Sequence, residues 1–510
     1  DADQSIYAFR GATIRNILEF ERDYPDATTI LLEQNYRSTQ TILSAANAVI
    51  ARNPDRRAKN LWSEAGDGEL INGYVAENEH DEAAWVAQRI DELSDDHGIT
   101  AADVAIFYRT NAQSRVFEEV FIRIGVPYKV VGGVRFYERK EIRDALAYLR
   151  VVANPDDVVS MRRILNTPRR GIGERAEASI EVLAQQQEIS FGAALDRADE
   201  AYLAPRSLNA IREFTGLLEH LRELLASEDG TPSSVLEAVL ERSGYLRELE
   251  NSKDPQDEGR VDNLRELVSV AREFEQQRAG TDEATSLVTF LEQVSLVADA
   301  DSIPGHEGGV VTLMTLHTAK GLEFPVVFLT GLEDGVFPHL RTLGDPKELA
   351  EERRLAYVGI TRAQQRLYLS RAVSRSAWGA PSWNPPSRFL EEVPAELAVW
   401  TGDVGRAPFV PSYGDESPSK YGDHGYRAAP RRSAQEQLAA SKLAKGGLRG
   451  GVGNRAIPSL APGDRVTHDA WGLGTVVDTR GAGDGAQAQI DFGSAGLKWL
   501  MLRYAPIQKL

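Results

Sequence analysis

The chain has 510 residues, enough for about three domains of ordinary size. Its 42% hydrophobic and 26% charged residues are typical of a globular protein, and its lack of cysteine excludes disulfides, thiolate zinc sites and a cysteine nucleophile. The formal net charge of −18 argues against a uniformly basic, nucleic-acid-binding surface, although an acidic shell around a basic groove gives the same total.

The first part of the chain alternates strand and helix patterns. A turn-rich motif and an amphipathic stretch occupy residues 1–27, and a short apolar strand is predicted at 29–32. A helix over 38–53 follows, with Ser38 as its N-cap. A second strand at 104–108 precedes a helix around 115–124. This alternation predicts an α/β fold with a parallel sheet.

The pattern changes between residues 131 and 303, where long amphipathic helices such as 208–225 and 261–277 dominate. Strand patterns return at 310–314 and 326–329. We therefore predict an all-α insertion within a discontinuous α/β domain.

The last part of the chain predicts a linker and a small β-barrel. Gly, Pro, Ser and Ala dominate residues 398–459, and residues 427–455 hold seven basic residues against Glu436, which indicates a flexible, locally basic linker. Short β-type runs separated by glycines predict a barrel over 460–510. Since no apolar run approaches ~20 residues and no signal-peptide pattern opens the chain, we expect a cytoplasmic protein.

Residues 1–12 form the first of four blocks that carry chemistry. Gln4 lies in a polar cluster that runs into Tyr7, Phe9 and Arg10. Flat aromatic rings can stack on unpaired bases, each at ~1–3 kcal/mol. Taken alone, Tyr7 and Phe9 are better explained as core residues on one strand face.

The other three blocks make the first one specific. They are Leu-Glu-Gln-Asn-Tyr-Arg-Ser at 32–38, Met-Thr-Leu-His-Thr-Ala-Lys-Gly-Leu-Glu-Phe at 314–324, and Glu-Glu-Arg-Arg-Leu-Ala-Tyr-Val-Gly-Ile-Thr-Arg-Ala at 351–363. With all four in order, the chain closely resembles superfamily 1A DNA helicases of the UvrD/PcrA type, whose motifs III, IV, V and VI they match. The resemblance covers essentially the whole chain.

The resemblance implies a RecA-like parallel-sheet motor domain interrupted by the all-α insertion, followed by an SH3/Tudor-like β-barrel. The implied domains are a remnant of the first motor domain (1A) at 1–27, the second motor domain (2A) at 28–130 and 304–397, the helical 2B insertion at 131–303, the linker at 398–459 and the Tudor-like barrel at 460–510.

The resemblance also implies roles at an ATP site. Gln4 would sense the γ-phosphate, and Arg37 and Arg362 would reach the γ-phosphate from two sides, which makes these three the expected catalytic residues. Tyr36 would pack on adenine, and Glu323, close to Gly321, would bind the nucleotide ribose.

The implied DNA contacts come from several segments. Tyr7 and Phe9 would stack on bases, where the family more often has Trp at the second position. The remaining expected DNA residues are Arg10, Arg109, Asn111, His317, Lys320, Arg169, Arg170, Gly171 and Gly173. Three alternatives stay open: a structural role for His317, a helix-end turn at 167–173, and a solvated ion-pair face for Arg353 and Arg354.

One expected component of an ATP site is missing from the sequence. No lysine follows a glycine or precedes Ser or Thr, so a G-x-x-x-x-G-K-[ST] loop is absent, and no Asp-Glu pair ends an apolar strand pattern. We therefore expect the chain to be the C-terminal part of a longer motor, with the Mg²⁺ ligands upstream of Asp1. We also expect that the 510 residues alone do not hydrolyse ATP.

The function implied by the resemblance is that of an ATP- and Mg²⁺-dependent 3′-to-5′ DNA helicase of repair and replication–transcription conflict. Implied partners are single-stranded DNA, duplex junctions, RNA polymerase through residues 460–510, and repair proteins or a second copy, in a cytoplasmic, nucleoid-associated setting. The alternative is a non-catalytic adaptor that binds DNA and polymerase. A helicase–nuclease is disfavoured because a linker and a barrel, not a carboxylate-rich α/β unit, follow the motor region.

Overall fold

The computed structural model describes residues 1–7, 19–20, 22–54, 56, 58–279, 286–298, 309–377, 380–402, 460–468, 472–480, 486–491, 497–502 and 507–509. These residues form two compact units, Asp1–Val404 and Gly405–Leu510, each described by itself. None of the described helices is long and apolar enough to cross a membrane.

The α/β part of the first unit is built from parallel strands and covering helices. Its strands are β1 (Ile71–Ala76), β2 (Val104–Tyr108), β3 (Tyr128–Val131), β4 (Val311–Thr315), β5 (Phe324–Leu329), β6 (Ala363–Ala372), the short hairpin β7 (Arg375–Ala377) and β8 (Ala380–Ser382), and β9 (Ala398–Gly402). Its first three helices are α1 (Gln40–Ile50), α2 (Glu79–His97) and α3 (Ser114–Ile124).

The helices of the insertion come next along the chain. They are α4 (Lys140–Ala153), α5 (Val158–Ile164), α6 (Glu174–Gln187), α7 (Phe191–Asp196), α8 (Pro205–Leu225), α9 (Pro232–Arg242), α10 (Tyr245–Glu250), α11 (Pro255–Arg278) and α12 (Leu287–Ala298). The α/β part then resumes and contributes α13 (Pro346–Ile360) and α14 (Arg388–Glu392).

The main sheet has seven strands in the order β3-β4-β2-β5-β6-β1-β9, and every neighbouring pair is parallel. Strand β2 is buried along its whole length, as expected for a parallel strand covered on both faces. Helices α1 and α13 share one apolar core with Phe107 and Val327. On the other face, the Trp85 ring of α2 lies 6.0 Å from that of Phe328.

The helical insertion has an apolar core of its own, which includes Tyr148, Phe214, Phe274 and Phe290. Apolar residues at helical spacing along α8 and α11 supply much of it. By contrast, polar side chains join α11 to the α/β part. The buried Arg115 of α3, for example, pairs with the carboxylates of Glu266 and Glu273 at 2.6 and 3.1 Å.

The second unit contains the antiparallel strands β10 (Arg465–His468), β11 (Gly472–Arg480), β12 (Gln487–Asp491), β13 (Leu497–Met501) and β14 (Ile507–Lys509). They pair in the order β13-β12-β11-β10-β14 around an apolar core. Val466, Val476, Ile490 and Leu500 are buried there. The two classes that the sequence predicts, a parallel α/β domain with many helices and a small terminal β domain, are thus confirmed.

Three local predictions differ from the structure. Residues 29–32 form no strand, and the Ile30 and Leu32 side chains are 79% and 84% exposed, since apolar residues make a strand only where a neighbouring edge can bond to them. Thr39, not Ser38, precedes α1 as its N-cap. Residues 398–402 fall in the predicted linker, but they form β9, which pairs with β1 at the edge of the sheet.

Candidate functional site

Three residues predicted from distant segments meet beside the end of α13. The Arg37 guanidinium donates through Nε to the Glu323 carboxylate and through Nη1 to the carbonyl of Thr361, 3.2 Å away. Arg362 follows Thr361 and donates through Nη1 to the carbonyl of Leu322 at 3.1 Å. Two cations and one carboxylate therefore share one small region of the fold.

Backbone and side-chain hydrogen bonds fix the segment that carries Arg37. The Asn35 side-chain oxygen accepts from the N–H groups of Arg37 and Ser38, at 2.8 and 2.9 Å. The Ser38 hydroxyl donates to the carbonyl of Ala363 at 2.6 Å, and the Thr39 N–H donates to that of Gln364 at 3.1 Å. These bonds attach the segment to the start of β6, directly after Arg362.

Arg362 is a buried cation that bonds to neutral acceptors. Only 2% of the residue is exposed, and burial, together with the nearby Arg37 charge, lowers the pKa of Arg362 to about 10. Its nitrogens donate to the carbonyls of Val358 and Leu322 and to the Thr361 hydroxyl at 3.1–3.2 Å. Glu323 is bound by Arg37, whose hydrogen bond lowers the pKa of the Glu323 carboxyl. The local charge therefore favours an incoming anion.

The two other residues predicted at the nucleotide lie at the exposed surface of this region. Tyr36 is 85% exposed, and its hydroxyl donates to the Gln34 side-chain oxygen at 3.0 Å, which leaves its ring open to stacking. Gly321 has a φ of +92°, a left-handed conformation that glycine adopts without strain, in the turn that leads to Glu323.

Residues 1–7 contact the segment that follows β4. The Lys320 ammonium donates to the backbone carbonyl of Gln4 at 2.9 Å and lies 5.0 Å from the centre of the Tyr7 ring. The Tyr7 hydroxyl donates to the carbonyl of His317 at 3.1 Å. Gln4, Tyr7, His317 and Lys320 are therefore brought together. Phe9 and Arg10 lie outside the described residues.

Strands β2, β3 and β4 are parallel neighbours, so their carboxyl ends meet at one edge of the sheet, where α/β proteins bind ligands. Asn111 follows β2 and is exposed. Gly132 and Gly133 follow β3. A Cβ at Gly132 would lie 2.8 Å from the Thr318 hydroxyl, and one at Gly133 would lie 4.0 Å from the Asn111 side-chain oxygen. Loops from all three strands thus form one continuous surface.

Arg109 follows β2 as well, but its side chain points toward α13. Its Nε lies 2.9 and 3.0 Å from the two carboxylate oxygens of Glu352, and its Nη2 lies 2.8 Å from one of them. The family resemblance implies that Arg109 contacts DNA directly. In the structure, most of its guanidinium is bound to Glu352.

The expected DNA residues of segment 167–173 differ in their exposure: one is bound within the protein and the others lie at the surface. The Arg170 guanidinium donates to backbone carbonyls at the end of α5, including that of Ile164 at 2.8 Å, and to the Tyr148 hydroxyl. Its geometry favours the helix-end alternative, so Arg170 is not retained among the proposed DNA contacts. Arg169 is exposed, as is Gly171, and Gly173 is the N-cap of α6. These three remain available at the surface.

Two charged residues of α13 make buried contacts that the sequence does not predict. Glu352 binds Arg109, and Arg353, expected on a solvated face, is 8% exposed and binds Glu392 of α14 and Asn53. Leu355 and Ala356 lie three and four residues after Glu352, on the same face of the helix, and both are buried. This helical spacing was the available signal that both charged side chains point inward.

Comparison with known proteins gives consistent matches along the chain. Residues 30–374 match the family model described as the UvrD-like helicase C-terminal domain, residues 463–509 match the PcrA/UvrD tudor domain, and residues 1–25 match the UvrD/REP helicase N-terminal domain.

Curated relatives match over the whole chain. The ATP-dependent DNA helicase UvrD1 of Mycobacterium tuberculosis (strain ATCC 25618 / H37Rv) is 58% identical over 100% of this chain and 65% of the relative. The ATP-dependent DNA helicase PcrA of Bacillus subtilis (strain 168) is 43% identical over 100% of this chain and 66% of the relative. The chain thus spans about two thirds of the length of these relatives.

Proposed function

Because the chain belongs to the family of UvrD-like helicases, we propose that it forms one wall of the ATP site and part of the DNA track of an ATP-dependent DNA helicase. The observation that carries this proposal is the meeting of Arg37 and Arg362 around Glu323. A phosphate-binding loop has to complete the site, and no such loop is encoded in the 510 residues.

The two arginines suit phosphoryl transfer. The transferred phosphoryl group spreads negative charge over its oxygens in the transition state, and fixed guanidinium groups stabilise that charge, typically by ~10³–10⁵ in rate. Arg362 is held by backbone and hydroxyl acceptors, so it needs little reorganisation when a phosphate arrives. Arg37 exchanges part of its contact with Glu323 for the phosphate, which frees Glu323 to accept from a ribose hydroxyl.

In this proposal, Mg²⁺ is implied only as the ion that accompanies ATP. The carboxylate beside the two arginines, Glu323, is bound by Arg37 and by Gln364 at 3.1 Å, so the described residues of this wall do not fit a metal site. The Mg²⁺ ligands are expected with the phosphate-binding loop.

The contacts of residues 1–7 support a link between the nucleotide and the DNA. Gln4 is the proposed γ-phosphate sensor, and its backbone is held by Lys320, whose ammonium also lies against Tyr7, a proposed base-stacking residue. A small displacement of Gln4 therefore changes the position of the stacking ring. Asn111 and Thr318 extend the proposed track along the carboxyl edge of the sheet.

Exposed apolar side chains support a covering partner for this wall. Ile30 and Leu32 are exposed in the segment that leads to Tyr36 and Arg37. Apolar residues concentrated in one exposed segment are typical of an interface. We propose that the domain carrying the phosphate-binding loop packs there.

The finer features of the proposed helicase follow the family resemblance. They are 3′-to-5′ direction, action in repair and replication–transcription conflict, Mg²⁺ as cofactor, single-stranded DNA and duplex junctions as substrates, a cytoplasmic, nucleoid-associated location, and RNA polymerase bound through residues 460–510. The duplex contacts would include Arg169, Gly171 and Gly173. Repair proteins or a second copy are further proposed partners.

The proposal is tested in the ATPase-competent protein that carries this chain with its phosphate-binding loop. Arg362→Ala is expected to lower single-strand-stimulated ATP turnover by ~10³ or more while changing the Kd for single-stranded DNA by less than about twofold. The control, Arg123→Ala, removes an exposed arginine of α3 and is expected to leave both quantities unchanged. Normal turnover in Arg362→Ala would exclude the arginine-finger role.

The second candidate is a non-catalytic adaptor that binds DNA and polymerase, and the absence of a G-K-[ST] loop from the sequence favours it. An ATPase assay on the 510-residue chain with single-stranded DNA addresses it. We expect no turnover above background. DNA-stimulated hydrolysis by this chain would mean that the 510 residues hold a complete ATP site. That result would contradict both candidate functions.

A further inference from the structure

Helix α13 connects the two regions described above. Arg362 lies just after its carboxyl end, and Glu352 lies ten residues earlier in the sequence. At 1.5 Å per residue this separation is about 15 Å along the helix axis. One rigid element therefore reaches from the proposed nucleotide site to the loop that follows β2.

The contact at the Glu352 end is a buried, two-pronged ion pair. The Arg109 Nε–H is shared between the two Glu352 carboxylate oxygens at 2.9 and 3.0 Å, and Nη2 lies 2.8 Å from one of them. The backbone N–H of His339 donates to the same carboxylate at 3.0 Å. Glu352 is only 4% exposed. Because a guanidinium–carboxylate fork of this kind fixes both distance and orientation, a displacement of Arg109 moves Glu352 with it.

The backbone of Arg109 is part of the proposed DNA edge. The N–H groups of Arg109 and Thr110 both donate to the Gln113 side-chain oxygen at 2.9 Å, which closes the turn that presents Asn111. About a fifth of the Arg109 side chain is exposed at this edge. Among the described contacts of Arg109, the Glu352 pair is the one that bonds the proposed DNA-binding loop to α13.

We propose that Glu352 is a positioning residue that couples DNA binding to ATP hydrolysis: through Arg109 it ties the loop that carries Asn111 to α13 and so to Arg362. This inference rests on the proposed function. DNA on the loop sets the position of Arg109, Arg109 sets that of Glu352, and the helix carries the displacement to the arginine at the phosphate. At the neighbouring position, Arg353 bonds the same helix to Asn53 and Glu392.

The first test is Glu352→Gln in the ATPase-competent protein. The substitution keeps the shape and removes the charge that holds the Arg109 fork. We expect the turnover stimulated by single-stranded DNA to fall about tenfold, within the usual range of coupling between two sites. The DNA-free turnover, the KM for ATP and the Kd for single-stranded DNA are expected to change by less than about twofold. The control, Glu348→Gln, makes the same change at an exposed position of α13 and is expected to have no effect.

Arg109→Lys is the second test and carries the proposal alone if Glu352→Gln fails to fold. Lysine keeps the charge but cannot make the fork, so the turnover at saturating single-stranded DNA is again expected to fall about tenfold. In the double variant the loss should not exceed that of the worse single variant, because both remove one contact.

Two results would overturn the inference. One is DNA stimulation within about twofold of the unmodified protein in either variant. The other is a DNA affinity that weakens by the same factor as turnover, which would make Arg109 a simple phosphate contact. Arg362→Ala belongs in the same series: if it leaves turnover intact, the proposed function fails, whereas if it abolishes turnover and Glu352→Gln keeps full stimulation, only this inference fails.

Discussion

Replacing Arg362 by methionine should leave the stability of the 510-residue chain nearly unchanged, although the arginine is buried. Methionine keeps a side chain of similar length and removes the charge. The prediction follows from the environment of the guanidinium, which is buried near a second cation, Arg37, and bonds to two carbonyls and one hydroxyl.

The magnitude follows from the pKa of Arg362, which burial and Arg37 lower to about 10. This is roughly 2.5 below the usual arginine value of 12.5, and at about 1.4 kcal/mol for each pKa step it corresponds to ~3–4 kcal/mol against the charged form. The lost hydrogen bonds contribute ~1 kcal/mol each, again ~3 kcal/mol in total. The two effects have opposite signs and similar sizes, so they cancel to within ~1 kcal/mol.

The matched control is Arg353→Met on the same helix. Arg353 is also buried, but its fork binds the Glu392 carboxylate at 2.8–3.2 Å and its Nη1 binds Asn53 at 2.8 Å. Removing it leaves a carboxylate of low exposure without its cation, which costs ~3–5 kcal/mol in typical buried pairs. The free energy of unfolding should therefore fall much more than for Arg362→Met.

The assay is urea unfolding at neutral pH, followed by far-ultraviolet circular dichroism, for the two variants and the unmodified chain. We expect a change of ~1 kcal/mol or less for Arg362→Met and ~3–5 kcal/mol for Arg353→Met. If Arg362→Met destabilises the chain as much as Arg353→Met, the Arg362 charge is already compensated within the protein. The claim that it is poised for an incoming anion would then be refuted.

Three further predictions concern other parts of the chain. Tyr36→Ala should raise the KM for ATP of the ATPase-competent protein and change the free energy of unfolding by less than ~0.5 kcal/mol, because the ring is exposed; an unchanged KM would remove Tyr36 from the site. Although burial opposes it, the hydrogen bond with His80 helps to lower the pKa of Glu273 to about 2, so this carboxylate adds stability above roughly pH 4.3 that is lost as the pH falls toward 2. Glu273→Gln should accordingly lose less stability over that window in acid titrations, and an identical acid-unfolding profile would contradict the assignment. Arg170→Ala should lower the free energy of unfolding by ~2 kcal/mol, whereas Arg169→Ala should weaken duplex DNA binding and leave stability unchanged, and the reverse pattern in unfolding and binding titrations would restore Arg170 as the DNA contact.

The sequence predicted the interior of the fold better than its edges. Strand β2 and the strands β4 and β5 are continuous apolar runs because both faces of a parallel sheet are covered, and such runs are legible without a structure. Strand β9 was missed because an edge strand is only half covered and its composition is close to that of the linker that follows. Residues 29–32 show the opposite case. Their apolar run predicts a strand, but in the structure they form none and their side chains are exposed.

The candidate site divides in the same way. Arg37, Glu323 and Arg362 were assigned from motif resemblance, and the structure brings them together. The Arg109–Glu352 pair was not predictable because its members are 243 residues apart, and because Arg109 resembles a DNA contact and Glu352 an ordinary surface charge. Only the folded sheet reveals that the end of β2 faces the middle of α13.

A double-variant cycle on Arg37 and Arg362 tests the central claim, that both arginines act on one phosphoryl group. The measurement is single-strand-stimulated ATP turnover of the ATPase-competent protein with Arg37→Ala, Arg362→Ala and both. Arg362→Ala should lose ~10³-fold or more and Arg37→Ala at least ~10²-fold. The double variant should lose hardly more than the worse single one, because groups that act as a unit are strongly non-additive. Losses that multiply, or a single variant with normal turnover, would contradict a shared phosphoryl site.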